Sequence, residues 1–369
     1  MNKPRIIISG GGTGGHIFPA ISIANSIREI NPDAEILFVG AIGKMEMEKV
    51  PAAGYRIVGL PVAGLQRKLS LKNLSLPFKV VGSICKARRI IREFKPDVAV
   101  GVGGFASAPL LWSAERMGIP CLIQEQNSYA GLTNKIVSKR AKRICTAYEG
   151  MERFFPADRI ILTGNPIRGE IRRYGEQDKA EGYNLYGLDP KKKTIFIVGG
   201  SLGCGTLNRT MRRWVEERGE SAGYQIIWQC GKFYKEGVDE FMKGRCVGNL
   251  FYTDFIKRMD LAYAVADVVV SRAGAGTISE LCVAGKASIF VPSPNVAEDH
   301  QTHNAMALVG KDAALLVKDS EAVDKLIDEM ESLLNDDARI ASFEENIMKL
   351  GRKDASSVIA REVLKLVKE

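Results

Sequence analysis

A chain of 369 residues with 46% hydrophobic and 26% charged side chains is long enough for two cored domains and too evenly mixed for a disordered or fibrous protein. No run of 18 apolar residues offers a transmembrane helix, and the opening MNKPRIIISGG lacks the long apolar core of a signal peptide. The formal charge of +9 is unevenly spread: residues 1–165 hold 23 Lys and Arg against 12 Asp and Glu, and the remainder 29 against 31, so the first half suits contact with nucleic acid or an anionic membrane surface.

Apolar runs at residues 5–9, 35–39, 56–60, 98–102, 121–124 and 160–163, then 194–198, 225–229, 249–252, 268–271 and 288–291, alternate with helical patterns. That alternation predicts an α/β fold of parallel sheets with helices on both faces. The first run leads into Gly10-Gly11-Gly12-Thr13-Gly14-Gly15-His16, with a helix predicted from about Ile17. A glycine loop at a strand's C-terminal end is where open α/β sheets bind ligands. Its G-x-G-x-x-G spacing matches a dinucleotide fingerprint, but Leu37-Phe38-Val39-Gly40-Ala41 stands where the acidic residue of such a site belongs, which argues against one. His16 is either a base beside an anion site or a ring bonded to loop backbone.

Residues 63–95 carry nine basic side chains, one acid (Glu93) and leucines including Leu74 and Leu76, with Phe78. Apolar side chains framed by Lys72 and Lys79 suit shallow insertion into an anionic leaflet; a core-facing helix with a solvated basic face is the alternative. Gly164-Asn165-Pro166-Ile167-Arg168 then places a guanidinium at a hinge, where it either bonds a phosphate or carbonyl or sits at the surface as an ordinary arginine.

The second half repeats the first: IIISGGGTGG (6–15) is similar to IFIVGGSLGCG (195–205), DVAVGVGGFASAP (97–109) to DVVVSRAGAGTIS (267–279), and GIPCLI (118–123) to GKASIF (285–290). Each half therefore reads as one Rossmann-type domain. The interval from Ile6 to Asp97 is 91 residues against 72 from Ile195 to Asp267, which puts a 19-residue insertion in the first half, around 63–95. The N–H groups of Gly199-Gly200-Ser201-Leu202-Gly203 and the Ser201 hydroxyl suit a phosphate. Gly274 and Gly276 let a ligand approach the backbone, and a helix predicted from Thr277 turns its first N–H groups toward a pyrophosphate. Glu280, expected on that first turn, either accepts from ribose hydroxyls or closes a capping box with Thr277. Seven scattered cysteines (85, 121, 145, 204, 230, 246, 282) without C-x-x-C spacing point to reduced thiols in the cytosol. No cluster has metal-ligand spacing, and an Asp-x-Asp pair is absent, so no metal site is expected.

Taken in order, GGGTGGHIFPA (10–20), GVGGFASAP (101–109), QEQNSYAGLTNK (124–135), TGNPIR (163–168), GGSLG (199–203), SRAGAGTISE (271–280) and HQTHNA (300–305) resemble the motifs of the bacterial lipid II-forming N-acetylglucosaminyltransferases of peptidoglycan synthesis, within the GT-B superfamily. These motifs span nearly the whole chain. The resemblance implies two Rossmann-like doubly wound domains facing across a cleft: residues 1–163 for acceptor and membrane, 164–353 for the donor, and a helix at 354–369 packing back on the first. It implies inverting transfer of N-acetylglucosamine from UDP-N-acetylglucosamine to the 4-hydroxyl of MurNAc in lipid I, without a cofactor. A UDP-N-acetylglucosamine 2-epimerase and a nucleotide-sensing module without chemistry are the competing readings.

Carried onto this chain, the resemblance gives the donor Arg168, Ser201, Leu202, Phe255 and Ile256 (uracil), Arg272, Ala275, Gly276, Thr277, Glu280 (ribose), His300 and Gln301, with Thr13, Gly14, Gly15, His16 and Asn127 from the first half. Gly12, Thr13, Gly14, Gly103, Gly104 and Phe105 would meet the acceptor pyrophosphate. His16 is the expected base, Glu125 the runner-up, and Asn127 would face the reacting sugars. Partners implied are UDP-N-acetylglucosamine, lipid I, the anionic inner leaflet of the plasma membrane and other cell-wall synthesis proteins, with no nucleic acid; the implied location is peripheral, on the cytoplasmic membrane face. Two departures stand out: Gln124 replaces the histidine expected before E-Q-N, and Cys204 replaces the alanine expected after G-G-S-x-G.

Overall fold

Strand β1 (Arg5–Ser9) reads RIIIS and is buried on both faces, as a β-branched run must be in a parallel sheet flanked by helices. The computed structural model describes residues 3–62 and 76–367, the side chains of 76–79 excepted. The chain continues through α1 (Gly14–Ile30), β2 (Glu35–Ala41), α2 (Glu46–Ala52), β3 (Arg56–Leu60), α3 (Leu76–Phe94), β4 (Val98–Gly101), α4 (Ser107–Arg116), β5 (Cys121–Glu125), α5 (Leu132–Val137), β6 (Arg143–Thr146) and β7 (Ile160–Leu162). These strands form one parallel sheet in the order β3-β2-β1-β4-β5-β6-β7, with Ile7 opposite Leu37 and Ile6 opposite Val98. The pleat divides β1 between two cores: Ile6 and Ile8 pack with Ile17, Ile23 and Ile27 of α1, while Ile7 packs with Ile90, Leu110 and Ile144.

The second unit runs α6 (Glu176–Tyr186), β8 (Thr194–Val198), α7 (Gly205–Glu217), β9 (Gln225–Gln229), α8 (Lys235–Met242), β10 (Leu250–Thr253), α9 (Met259–Val265), β11 (Val268–Ser271), α10 (Ala275–Ala284), β12 (Ala287–Phe290), α11 (His300–Val309), β13 (Leu315–Leu316), α12 (Ala322–Leu334) and α13 (Asp337–Lys349). Its sheet order, β10-β9-β8-β11-β12-β13, repeats that of the first six strands of the other unit. Ile195 and Ile197 of β8 pack with Met211, Trp214 and Met330 on one face, and Phe196 meets Tyr263 edge-on at 5.8 Å on the other. In both sheets the order reverses beside the first strand, between β1 and β4 and between β8 and β11, which is where doubly wound sheets open a ligand crevice.

The last helix, α14 (Ala355–Leu366), belongs to the first unit. Its Ile359, Val363 and Leu366 join the core that β1 shares with α1. Burying three such side chains stabilises by roughly 1.5–3 kcal/mol each, a sum comparable with the net stability of a whole domain, so this helix is integral to the first unit. The units comprise Met1–Ile167 with Lys353–Glu369, and Arg168–Arg352, so the division falls after Ile167 and not at the expected 163. The reason is Asn165, a buried side chain whose Oδ1 accepts from Gln124 Nε2 (2.9 Å) and whose Nδ2 donates to the Gln126 carbonyl (3.0 Å).

Strands β6 and β13 were not expected: one is four residues long after a basic stretch, the other two residues long. The described part of the insertion lies in α3, 19 residues long where α9 of the second unit has seven, and residues 63–75 lie outside the described residues. Ser83, Ala87, Ile90 and Ile91 of α3 face the core at helical spacing, so over the described side chains the core-facing alternative holds, with Val80 and Val81 exposed. Lys72 and Leu74 lie outside the described residues, as do the side chains of Leu76, Phe78 and Lys79. All seven cysteines are free thiols, and Cys85 and Cys246 alone among them are exposed. No helix among the described residues is long and apolar enough to cross a membrane.

Candidate active site

At the switch point of the first sheet, two loops interlock. Helix α1 begins at Gly14, three residues earlier than expected, so Gly14, Gly15 and His16 form its first turn, with Thr13 as N-cap. Backbone N–H groups of a first turn have no partner inside the helix and carry the positive end of its dipole, which suits an anion. His16 Nδ1 lies 3.1 Å from Thr13 Oγ1, and the opposite edge of the ring rests on the loop after β4. An ideal Cβ on Gly103 would stand 2.7 Å from His16 Cδ2 and 2.9 Å from Nε2, and one on Gly104 would stand 2.2 Å from the Gly11 carbonyl oxygen. Both glycines adopt positive φ (95° and 87°), so any side chain there is strained and collides. Phe105, half exposed, projects beside Gly12.

Two expectations in this unit are corrected. Gly12, expected to meet the acceptor pyrophosphate, donates its N–H to Glu46 Oε2 at 2.9 Å, so that donor is taken. Glu125, expected as the alternative base, is buried and fully engaged: Oε1 accepts from Asn127 N (3.0 Å) and Nδ2 (3.3 Å), and Oε2 from Gly131 N (3.0 Å) and Asn134 Nδ2 (2.9 Å). Burial pushes its carboxyl pKa up while these bonds pull the other way. The residue holds the Asn127 loop in place; a base needs an oxygen that a substrate proton can reach. Gln124, where a histidine was expected, is buried and bonded to Asn165 and Gln126. A neutral amide with both a donor and an acceptor fits that enclosed network.

In the second unit a cavity of about 650 Å³ opens at the C-terminal ends of β8 and β11. It is lined by the Gly199–Gly200 and Gly203–Gly205 backbone, by Thr206 and Arg209 from the first turns of α7, and by Arg272, Gly274, Thr277, Ser293, Asn295, Gln301 and Asp319. That volume lies within the ordinary range for small-molecule sites, roughly 300–1,000 Å³. Two helix N-termini border it, α7 capped by Cys204, whose Sγ accepts from Leu207 N (3.4 Å), and α10 following Gly274. Cys204, where an alanine was expected, is thus a cap. Arg272 Nη1 is 2.6 Å from Asp319 Oδ1 and donates to the carbonyls of Val291 (2.9 Å) and Pro292 (3.0 Å), which fixes its guanidinium at the wall. Gln301 Oε1 accepts from Ser293 N at 2.8 Å.

Ser201 and Leu202 project from the glycine turn into solvent and do not line this cavity. Phe255 is partly exposed, with Lys232 Nζ 5.9 Å from its ring, and Ile256 is buried with its N–H on Gln229 Oε1 (3.0 Å). His300 opens α11 with Nδ1 2.8 Å from the Ala297 carbonyl, so that nitrogen carries the proton.

Helix α10 starts at Ala275 with Gly274 as N-cap, so Glu280 sits in its second turn and the capping-box alternative fails. Its buried carboxylate instead takes a two-pronged bond from Arg168, Nε to Oε1 at 2.8 Å and Nη2 to Oε2 at 3.0 Å, plus the Tyr263 hydroxyl at 3.1 Å. Burial holds the Tyr263 phenol well above its usual pKa, so it stays protonated and donates. Arg168 is therefore no ordinary surface arginine. Thr206, Arg209, Asp319 and Glu46 escaped the sequence reading; the first two follow a glycine loop and were recognisable, while the other two have no local signature.

Two doubly wound sheets, each with a glycine-lined site at its switch point, one roomy and bordered by helix N-termini, define the GT-B architecture. Residues 6–146 match the glycosyltransferase family 28 N-terminal domain and 194–359 the glycosyltransferase family 28 C-terminal domain, and the chain belongs to that family. It is 55% identical over 366 residues (99% of this chain, 96% of the relative) to the Bacteroides fragilis UDP-N-acetylglucosamine–N-acetylmuramyl-(pentapeptide) pyrophosphoryl-undecaprenol N-acetylglucosamine transferase. Among solved structures it is similar to Acinetobacter baumannii MurG, with a TM-score of 0.79 at 28% identity, covering 98% of this chain and 99% of that one. A UDP-GlcNAc 2-epimerase from Neisseria meningitidis, solved with UDP-GlcNAc, shares the fold at a TM-score of 0.65 and 13% identity, covering 99% of this chain and 100% of that one.

Proposed function

We propose that this protein transfers N-acetylglucosamine from UDP-N-acetylglucosamine to the MurNAc 4-hydroxyl of lipid I, with inversion, forming the β-1,4-linked disaccharide of lipid II. What carries the reading is the 55% identity, along 99% of the chain, to a transferase whose name specifies that donor and that undecaprenyl-pyrophosphoryl acceptor. The epimerase alternative rests on a fold likeness at 13% identity alone.

The donor occupies the cavity of the second unit, with its diphosphate on the N–H groups that open α7 and α10. The acceptor's pyrophosphate meets Thr13, Gly14 and Gly15 at the start of α1. As the acceptor oxygen attacks, the C1–O4 bond forms, the bond from C1 to the UDP phosphate oxygen breaks, and the hydroxyl proton passes to His16 Nε2. For Nε2 to accept it, Nδ1 must carry the ring proton and donate to Thr13 Oγ1, 3.1 Å away, whose hydroxyl can accept it. Charge gathering on the departing UDP is met by the helix N-termini and by the guanidinium of Arg272. No cofactor is needed for these steps. Radiolabelled donor is expected to appear in a lipid-linked disaccharide at an unchanged rate in EDTA. Epimerised or hydrolysed donor formed without acceptor would overturn the transferase reading, and activity lost in EDTA and restored by magnesium would overturn metal independence.

The site of action proposed is the cytoplasmic membrane face, through the basic leucine-rich stretch before α3 and the exposed Val80 and Val81 that follow it. Replacing Leu74, Leu76 and Phe78 by Ser is expected to reduce binding to phosphatidylglycerol vesicles about tenfold or more, at roughly 0.8 kcal/mol per buried methylene. Undiminished binding of that triple variant in a sedimentation assay would refute the attachment.

A further inference from the structure

We infer that Glu46 is a positioning residue that fixes the glycine turn after β1 and thereby the acceptor site, an inference that rests on the proposed placement of the acceptor pyrophosphate. Glu46 opens α2 and is fully buried. Its Oε2 accepts the Gly12 N–H at 2.9 Å and its Oε1 the Ala41 N–H at 2.9 Å, so one carboxylate ties the turn after β1 to the end of β2. Neither partner is a cation; the charge is met by backbone dipoles and by the N-terminus of its own helix.

The surroundings are shaped to admit this group. An ideal Cβ on Gly11 would fall 2.2 Å from Glu46 Oε1, and one on Gly40 would fall 2.5 Å from its Cγ. On the opposite side, Gly104 closes against the Gly11 carbonyl. The turn is thus held between a carboxylate behind it and a glycine loop in front. By drawing the Gly12 N–H inward, Glu46 sets where the chain enters α1, and so the direction of the Thr13, Gly14 and Gly15 N–H groups and of the His16 ring that follows them.

A carboxylate is needed because two donors converge on two acceptor oxygens. The near-isosteric Glu46→Gln turns one acceptor into an N–H that faces another N–H. With full-length protein, the expected result for Glu46→Gln is a wild-type donor KM, an acceptor KM raised about tenfold or more, and about tenfold faster amide hydrogen exchange over residues 10–13. Glu46→Asp, which keeps both acceptors on a shorter arm, is expected to restore part of each effect and covers the case in which the Gln variant fails to fold. Unchanged exchange and acceptor KM in a folded Glu46→Gln protein would overturn the inference, as would an equal rise in both KM values. Faster exchange with an unchanged acceptor KM would overturn the link between this turn and the acceptor. The exchange readout needs no substrate, so it stands apart from failure of wild-type protein to make the lipid-linked disaccharide, which would overturn the transferase reading itself.

Discussion

Replacing His16 by alanine is expected to lower kcat by about 10²–10⁴-fold, the usual contribution of a positioned general base, while leaving the donor KM within a few-fold of wild type. The ring is held from two sides, by Thr13 Oγ1 at Nδ1 and by the close approach of Gly103, so its removal takes away chemistry more than structure. A comparison of kcat against pH for wild type and the variant separates the roles: the acidic limb belonging to the base disappears with it. A His16→Ala protein turning over at the wild-type rate would end the assignment. Glu125, whose oxygens are taken by Asn127, Gly131 and Asn134, is then not the natural replacement, and the base would have to be sought elsewhere.

The second large effect is expected at Glu280. Its replacement by alanine removes the acceptor for Arg168 and strands the hydroxyl of fully buried Tyr263, a loss of roughly 1–3 kcal/mol in stability, most of it from the tyrosine because the arginine is partly exposed to water. If the carboxylate also accepts from ribose hydroxyls, as the resemblance implies, the donor KM rises about 10–100-fold, the equivalent of one charge-assisted hydrogen bond. Arg168→Ala provides the control, since it leaves Glu280 and Tyr263 in place. Should Glu280 serve only to anchor Arg168, the two variants and their double mutant would show the same donor KM. An unaltered donor KM in Glu280→Ala at a temperature where the protein is folded would sink the ribose role. Both Glu280 oxygens are engaged by Arg168 and Tyr263, so donor binding has to share or displace one of those bonds.

The doubled Rossmann design could be read from the chain because its signals are local. A buried parallel strand announces itself as four or five consecutive apolar residues, and a glycine run after it marks the ligand end of the sheet, so β1, β8 and β11 and the loops they feed were found where expected. The extra span between Ile6 and Asp97 was legible for the same reason, a difference in length needing no knowledge of packing, and the lengthened α3 lies within it. Helix starts were less legible: α1 and α10 begin earlier than expected because glycine, a poor helix former, is tolerated in a first turn whose N–H groups have no helical partner in any case.

Pairings between distant residues were hidden. Gly12 and Glu46 are 34 residues apart, and Arg168 and Glu280 are 112 apart. Taken singly, Glu46 is an acid favourably placed at a helix start and Glu280 a plausible cap or ribose ligand, since composition and spacing carry no information about which side chain lies across the sheet. Only the assembled sheet, by setting β1 beside β2 and α10 behind β11, brings each carboxylate to its donors and excludes water from them. What a glycine loop can bind was therefore written locally, and which buried groups hold it in shape was decided by the fold.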